Sequence, residues 1–130
     1  MNLEIAKKWF KQACHDLEMA EKNINIGGYD VAAFLAHQSV EKLLKSVFAL
    51  RELKIPRIHY IDELSSKLDL SEEIMNDVFA LSGDYMFSRY PDVSDEVPFE
   101  LYDEKTAKSR IECAKRIFNA FKKDTSKIGL

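Results

Sequence analysis

Long stretches of this chain carry apolar residues at alternating three- and four-residue steps. One stretch runs from about Leu3 to Ile26, and a second runs from about Tyr29 to Arg51. This spacing gathers apolar side chains on one face of an amphipathic α-helix, whereas a half-buried strand would alternate every second residue. Gly27 lies between the two stretches, and glycine often ends a helix because it adopts left-handed backbone without steric cost. The pattern predicts two long helices joined by a tight turn.

The rest of the chain predicts a short helix, two longer helices and one long loop. Pro56 interrupts the chain before the short helix, Ser71 can cap the next helix, and Asp103 can cap the last one. Residues 88–102 include two prolines and no helical stripe, so they predict a loop of a length that is often functional. The apolar stripes are Ile61, Leu64 and Leu68 in the short helix, Ile74, Val78, Leu81 and Tyr85 in the fourth, and Ala107, Ile111, Ala114, Phe118 and Phe121 in the last.

These elements predict an all-α fold, an up-down antiparallel four-helix bundle with an additional short helix, because short links between long helices favour antiparallel neighbours. A length of 130 residues suits a single domain over 1–130. The chain shows neither a membrane span nor the apolar region of a signal peptide. Cys14 and Cys113 have no C-x-x-C spacing, so we expect a reduced, cytoplasmic protein.

Charge and composition narrow the function classes. Nineteen basic and 22 acidic residues give a net charge of −3, which disfavours binding to duplex DNA but leaves room for a local pocket for one phosphate or a short RNA. The three histidines form no H-E-x-x-H motif, and no glycine-rich phosphate loop opens a helix. We therefore expect no metal and no cofactor.

The second helix carries the first candidate cluster. His37, Glu41 and Lys45 follow four-residue steps, so they lie along one edge of that helix. This edge can line a ligand, or it can belong to a solvated face that also holds Gln38, Lys42 and Ser46, with His37 at its border. Phe34 and Phe48 project on the polar side of the same border. Apolar groups on two faces of a helix usually meet two partners, so we expect these phenylalanines at a dimer edge.

Two further clusters flank the short helix and the long loop. His59 ends the sequence Pro56-Arg57-Ile58-His59, where it can bind a ligand or position the turn. The second cluster is Arg89-Tyr90-Pro91-Asp92, at the end of the fourth helix. Arginine recognises phosphate bidentately, and tyrosine offers a face for base stacking. The alternative for this cluster is that Arg89 and Asp92 tie the loop to the bundle.

Taken in order, these motifs are similar to those of the HEPN domain family. The segment from Tyr29 to Lys45 resembles that family's Y-x-x-A-x-F-x-A-x-Q-A-x-E-K-x-L-K stretch, and Trp9 to Ala20 resembles its first helix, with an A-x-x-D-L-x-x-A pattern. Pro56 to His59 matches its P-x-x-H turn, and Arg89 to Asp92 matches its R-Y-P-D loop. The resemblance covers nearly the whole chain.

The resemblance implies a helical bundle that assembles as a homodimer and does one of two jobs. Some members are partners of a small nucleotidyltransferase-like protein in toxin–antitoxin pairs. Others are metal-independent ribonucleases with an R-x(4–6)-H motif, in which the arginine and histidine of both subunits meet at the dimer cleft. Counted from Arg89, that histidine would fall at Ser94, Asp95 or Glu96. Without it the expected general acid or base is missing, which disfavours the nuclease.

We therefore expect a non-catalytic, homodimeric HEPN protein that binds a nucleotide, a short RNA or a nucleotidyltransferase-like partner. A degenerate ribonuclease toxin, in which the arginine still stabilises the transition state, is the competing hypothesis. A pure interaction module that dimerises through Phe34 and Phe48 is the third. The candidate ligand-binding residues are His37, Glu41, Lys45, His59, Arg89, Tyr90 and Asp92.

Overall fold

The computed structural model describes residues 2–129, and every regular element in that range is helical. This confirms the all-α fold. The elements in chain order are α1 Leu3–Asn25, α2 Tyr29–Leu50, α3 Ile61–Ser66, α4 Glu72–Ser82, α5 Asp84–Phe87, α6 Pro98–Leu101, α7 Glu104–Ala120 and α8 Lys122–Thr125, followed by a 3₁₀ turn at Ser126–Ile128. No helix in this range is both long and apolar enough to cross a membrane.

Side chains and one glycine set the helix ends as the sequence predicts. The Ser71 hydroxyl accepts a hydrogen bond from the amide of Ile74, and the Asp103 carboxylate accepts one from Thr106 at 2.7 Å. Each cap satisfies an amide that has no partner within its own helix. Gly27 adopts φ +74° two residues after the end of α1, so the chain reverses within a few residues into α2.

Helix α2 is the centre of the fold. It packs along α1 and α7 and also contacts α3, α4, α5, α6 and α8. Alanines without exposed surface, such as Ala13 on α1 and Ala36 on α2, allow the helix backbones to approach closely. The largest fully buried side chains of the core are Phe121, Leu43, Leu44, Ile61, Leu64, Leu81 and Ile117.

Because α2 has neighbours on both sides, the alternative that Glu41 and Lys45 belong to a solvated face is wrong. Glu41, Lys45 and Ser46 are buried, and His37 is fully enclosed rather than at a border. The buried Ser46 hydroxyl has a hydrogen-bond partner, because it donates to the carbonyl oxygen of Leu43 at 2.6 Å. A helical wheel shows which residues share a face, but it does not show how many other helices cover that face.

Phe48 does not lie at a dimer edge, so that prediction is wrong. Its side chain is only 3% exposed and belongs to the main hydrophobic core. The second apolar face of α2 is covered by the chain's own later segments, including α3 and α5, and needs no second subunit. Phe34 is half-buried, and its ring faces Arg89.

Two smaller differences concern the last helices. Phe118 is only half-buried, with its ring 6.5 Å from that of Phe10, while Ile117 takes the fully buried position on α7. The predicted loop at 88–102 contains one helical turn, α6, with Pro98 at its first position. Proline suits that position because its missing amide would have no helical partner there.

The buried position of Phe48 yields a stability prediction. Phe48→Ala removes a core ring and leaves a cavity, so we expect the free energy of unfolding in urea to fall by about 3–5 kcal/mol. Phe79, which is 57% exposed, is the matched control, and Phe79→Ala should stay within about 0.5 kcal/mol of the parent. Equal stability of the two variants would contradict this core.

Candidate functional site

Side chains from three separate parts of the chain converge at one end of α2. We call this group the Arg89 cluster. Its members are Phe34, His37 and Glu41 on α2, His59 and Tyr60 just before α3, Tyr85 on α5, and Arg89 just after it.

The guanidinium of Arg89 lies between two aromatic rings. Its central carbon is 4.3 Å from the centroid of Phe34 and 4.6 Å from that of Tyr85. Both rings attract the cation through their negative faces. Within residues 2–129, no carboxylate forms an ion pair with Arg89, and its buried Nε has no hydrogen-bond partner. The aromatic rings therefore fix a cation whose charge the described protein does not neutralise.

Glu41 links the buried interior to the exposed rim of the cluster. Its Oε2 accepts a hydrogen bond from the Lys45 ammonium at 3.1 Å and lies 2.9 Å from Nδ1 of His59. Since a carboxylate only accepts, Nδ1 of His59 carries the proton in this bond. The His59 side chain is 59% exposed, so its Nε2 remains available to a ligand. Glu41 thus fixes the ring orientation of an accessible histidine.

Tyr85 occupies the middle of the cluster. Its ring is stacked on His59, with centroids 5.8 Å apart and planes 12° apart, and it meets Tyr60 edge-on at 5.3 Å. Its centroid is also 5.7 Å from that of His37. One tyrosine therefore contacts both histidines and the arginine, and it fixes their relative positions.

His37 forms the floor of the cluster. It is 1% exposed, and neither ring nitrogen has a hydrogen-bond partner among the described residues. Burial lowers the pKa of His37 to about 4, and the negative charge of Glu41 opposes this only in part. His37 is therefore neutral at physiological pH, so it adds no second positive charge to the cluster that contains Arg89.

The interior end of the cluster reaches α1. The Lys45 ammonium lies 5.3 Å from the ring centroid of Trp9, the single tryptophan of the chain. Lys45 is 4% exposed, so it acts on the cluster through Glu41 and does not line an open surface. The Glu41–Lys45 pair is buried on both sides, and removing either partner would strand a buried charge.

The structure brings together four of the candidate ligand-binding residues, His37, Glu41, His59 and Arg89. His59 does not cap α3, and no ion pair joins Arg89 to Asp92 among the described residues. Tyr90 and Asp92 lie exposed on the turn after the cluster, and their role remains a prediction.

Sequence reasoning missed the aromatic half of the cluster. Tyr85 was assigned to the core stripe of α4, and Phe34 to a dimer edge. One sequence feature could have revealed Tyr85, because it precedes Arg89 by four residues and such a spacing places two side chains on one helical face. The residues 2–129 contain no group of three histidine, cysteine, aspartate or glutamate side chains that could hold a metal ion.

The family model of the HEPN domain matches residues 6–124. The chain belongs to the HEPN domain family. The match covers every member of the Arg89 cluster and all of the long helices except the first three residues of α1. No curated protein matches the chain.

Solved structures share the fold of this HEPN domain. TT1696 from Thermus thermophilus is 27% identical, with a TM-score of 0.86 over 95% of this chain and 99% of that chain. ST0689, an archaeal HEPN homologue, is 34% identical, with a TM-score of 0.75 over 95% and 97%. The HEPN domain protein tm0613 from Thermotoga maritima is 25% identical, with a TM-score of 0.68 over 92% and 98%.

This HEPN domain lacks a histidine in the loop after Arg89, but it brings histidines to Arg89 from elsewhere. His59 comes from the connection between α2 and α3, and His37 comes from α2 itself. Both contact Tyr85, which in turn contacts the guanidinium. One arginine and two imidazole groups thus contact the same tyrosine ring without the spacing that the family's nuclease motif requires.

The burial of His37 predicts a specific loss of stability in acid. The unfolded chain takes up the proton of this histidine below about pH 6.5, whereas the folded chain resists it until about pH 4. Neutral His37 therefore contributes to the free energy of unfolding above pH 6.5. As the pH falls toward 4, this contribution is lost, and the free energy of unfolding falls by about 3 kcal/mol in total. Urea unfolding at neutral pH and near pH 4 measures it.

Other groups also titrate in this range, so the test is a difference between variants. His37→Phe should lack this part of the pH dependence, while the exposed His15 offers a matched control, His15→Gln, that should keep it. An identical pH dependence in His37→Phe and the parent would show that His37 is not buried and neutral in solution.

Proposed function

We propose that this HEPN domain is a non-catalytic homodimer that binds a phosphate-bearing ligand, a nucleotide or short RNA, at the Arg89 cluster. The observation that carries the proposal is the guanidinium held between Phe34 and Tyr85 with no carboxylate partner in the described chain. A fixed, unneutralised guanidinium is suited to bind phosphate, because its planar N–H groups match two phosphate oxygens.

The rim of the cluster supports a ligand that has a base as well as a phosphate. His59 is exposed and parallel to Tyr85, and Tyr60 is 48% exposed beside them. Aromatic faces of this kind stack nucleobases with little sequence preference. His59 Nε2 adds a polar group at the same rim, oriented by Glu41.

The assembly and the partner rest on the family. We propose a homodimer, with a nucleotidyltransferase-like protein as the partner in a toxin–antitoxin pair in the cytoplasm. The segment that carries Tyr85 also exposes apolar side chains, with Met86 at 39%, Phe87 at 42% and Tyr90 at 43%. Neighbouring exposed apolar groups of this size favour a protein contact next to the cluster.

Removing the guanidinium tests the proposal. Isothermal titration of the parent with purine nucleotides and with a short single-stranded RNA should give measurable heat, and Arg89→Ala should weaken binding by about tenfold or more, because a charge-assisted contact is lost. Arg116, which is paired with Asp77 on the surface, supplies the control Arg116→Ala with unchanged affinity.

Silent titrations with every nucleotide and RNA, at high protein concentration, would reject the ligand-binding proposal. If the protein is still a dimer under those conditions, the pure interaction module becomes the better account. Phe48 is excluded from such a dimer contact because it is buried.

One observation favours a ribonuclease as the second candidate function. Glu41 and His59 form a carboxylate–imidazole pair, and His59 stacks on the same tyrosine, Tyr85, that contacts the guanidinium of Arg89. In RNA cleavage, Nε2 of His59 would take the proton of a 2′-hydroxyl as its oxygen attacks phosphorus. The 5′ oxygen would leave and take a proton from water, and Arg89 would stabilise the charge on the phosphoryl oxygens.

An RNA cleavage assay in chelator separates the two candidates. The binding proposal predicts no cleavage by the parent, Arg89→Ala or His59→Gln. Metal-independent cleavage by the parent and by His15→Gln, lost in both Arg89→Ala and His59→Gln, would make the protein a nuclease that recruits its imidazole from outside the loop.

A further inference from the structure

Behind the Arg89 cluster, a buried carboxylate holds three elements together. Asp84, the first residue of α5, is 3% exposed. One of its oxygens accepts a hydrogen bond from the Tyr102 hydroxyl at 2.6 Å, and the other accepts one from Nε of Arg110 at 2.8 Å. Tyr102 follows α6 and Arg110 lies on α7, so the contact joins α5, the end of the long loop and the last long helix.

The element that Asp84 anchors is the one that carries the cluster's central groups. Tyr85 is the next residue, and Arg89 follows the same helical turn. The carbonyl of Asp84 accepts hydrogen bonds from both the amide and the hydroxyl of Ser88. The amides of Arg89 and Tyr90 donate to the carbonyl of Met86 at 3.2 and 3.1 Å. An anchored Asp84 therefore fixes the backbone from which Arg89 extends.

The chemistry of the contact makes it rigid. Burial raises the pKa of Asp84, while the hydrogen bond from Tyr102 and the charge of Arg110 oppose this and favour the ionised carboxylate. Burial and the neighbouring carboxylate raise the pKa of Tyr102, so its hydroxyl keeps its proton and donates it. A buried carboxylate with a donor on each oxygen has little freedom to reorient.

We propose that Asp84, held by Tyr102 and Arg110, is a positioning residue for Arg89, the proposed phosphate-binding group. It touches neither the proposed ligand nor the guanidinium, and it acts through the single helical turn α5. Its functional role rests on the proposed binding function, whereas its effect on the backbone of α5 does not. The hydrogen bond from Tyr102, at the end of the loop 88–102, thereby holds the helical turn α5, which lies just before the start of that loop.

A second ion pair between nearby elements provides the matched control. Arg116 on α7 donates to both oxygens of Asp77 on α4, at 2.9 and 3.0 Å. This pair also joins the last long helix to the α4–α5 region, but it is exposed at Arg116 and lies away from the turn that carries Arg89. Losing it removes a helix–helix contact without releasing Asp84.

Tyr102→Phe is the sharpest variant, because it deletes one hydroxyl and keeps the ring in the fold. We expect it to weaken binding of a short fluorescent single-stranded RNA by about tenfold. We also expect the amides of Ser88, Arg89 and Tyr90 to exchange with deuterium about tenfold faster, because their turn opens more often. Arg110→Gln should act in the same direction, and Arg116→Ala should change neither quantity.

A double-mutant cycle shows whether the effect passes through Arg89. In an Arg89→Ala background, Tyr102→Phe should cause no further loss of RNA affinity. Unchanged exchange of the three amides in Tyr102→Phe, or the same acceleration in Arg116→Ala, would overturn the proposal. An additive affinity loss in the Arg89→Ala background would overturn it as well.

The two proposals can fail separately. If the parent binds neither RNA nor nucleotide, the binding function fails. The exchange experiment then still decides whether Asp84 fixes the turn. Faster exchange in Tyr102→Phe and Arg110→Gln but not in Arg116→Ala is the supporting result, and unchanged exchange in Tyr102→Phe is the contradicting one.

Discussion

Phe34 on α2 and Tyr85 on α5 hold the guanidinium of Arg89 between two aromatic faces. This contact joins the central helix to the long loop. It also holds the arginine side chain in place. The conformational entropy that an exposed arginine would lose on binding a phosphate is therefore already lost before binding. Because the rings are neutral, they do not compensate the charge of Arg89, whereas Arg51, Arg110 and Arg116 each form an ion pair with a carboxylate.

The cluster also shows how polar groups can be placed next to a core. Glu41 is buried, but Lys45 and His59 both bond to its Oε2. Its other oxygen, both nitrogens of His37 and Nε of Arg89 have no partner among the described side chains. Leaving buried polar atoms without partners lowers stability, and such costs are concentrated at sites where a ligand or a partner can satisfy them. We therefore interpret this end of α2 as a region where stability is reduced in favour of binding.

Much of the fold could be predicted from sequence, because its determinants are local. The three- and four-residue spacing located the long helices, and the caps at Ser71 and Asp103 depend on residues only three positions away. The errors come from contacts between distant segments. Phe48 and Lys45 are buried because α1, α3 and α5 cover the sides of α2, and a helical wheel contains no information about that.

The same limit applies to the prediction of the candidate site. Motifs identified His59 and Arg89, but only the fold shows that His59 stacks on Tyr85, and Asp84 was missed because its partners follow it by 18 and 26 residues.

Arg89 differs from Arg51, Arg110 and Arg116 because aromatic rings rather than a carboxylate contact its guanidinium, and we propose that this leaves it available to a phosphate. The most direct test of this difference is a nuclear magnetic resonance titration that follows the side-chain Nε–H signals of these arginines as adenosine monophosphate is added. We predict that the Arg89 signal moves in a saturable way while the signals of the three paired arginines stay in place. An Arg89 signal that does not move, or four signals that move together, would contradict the assignment of Arg89 as the phosphate-binding group.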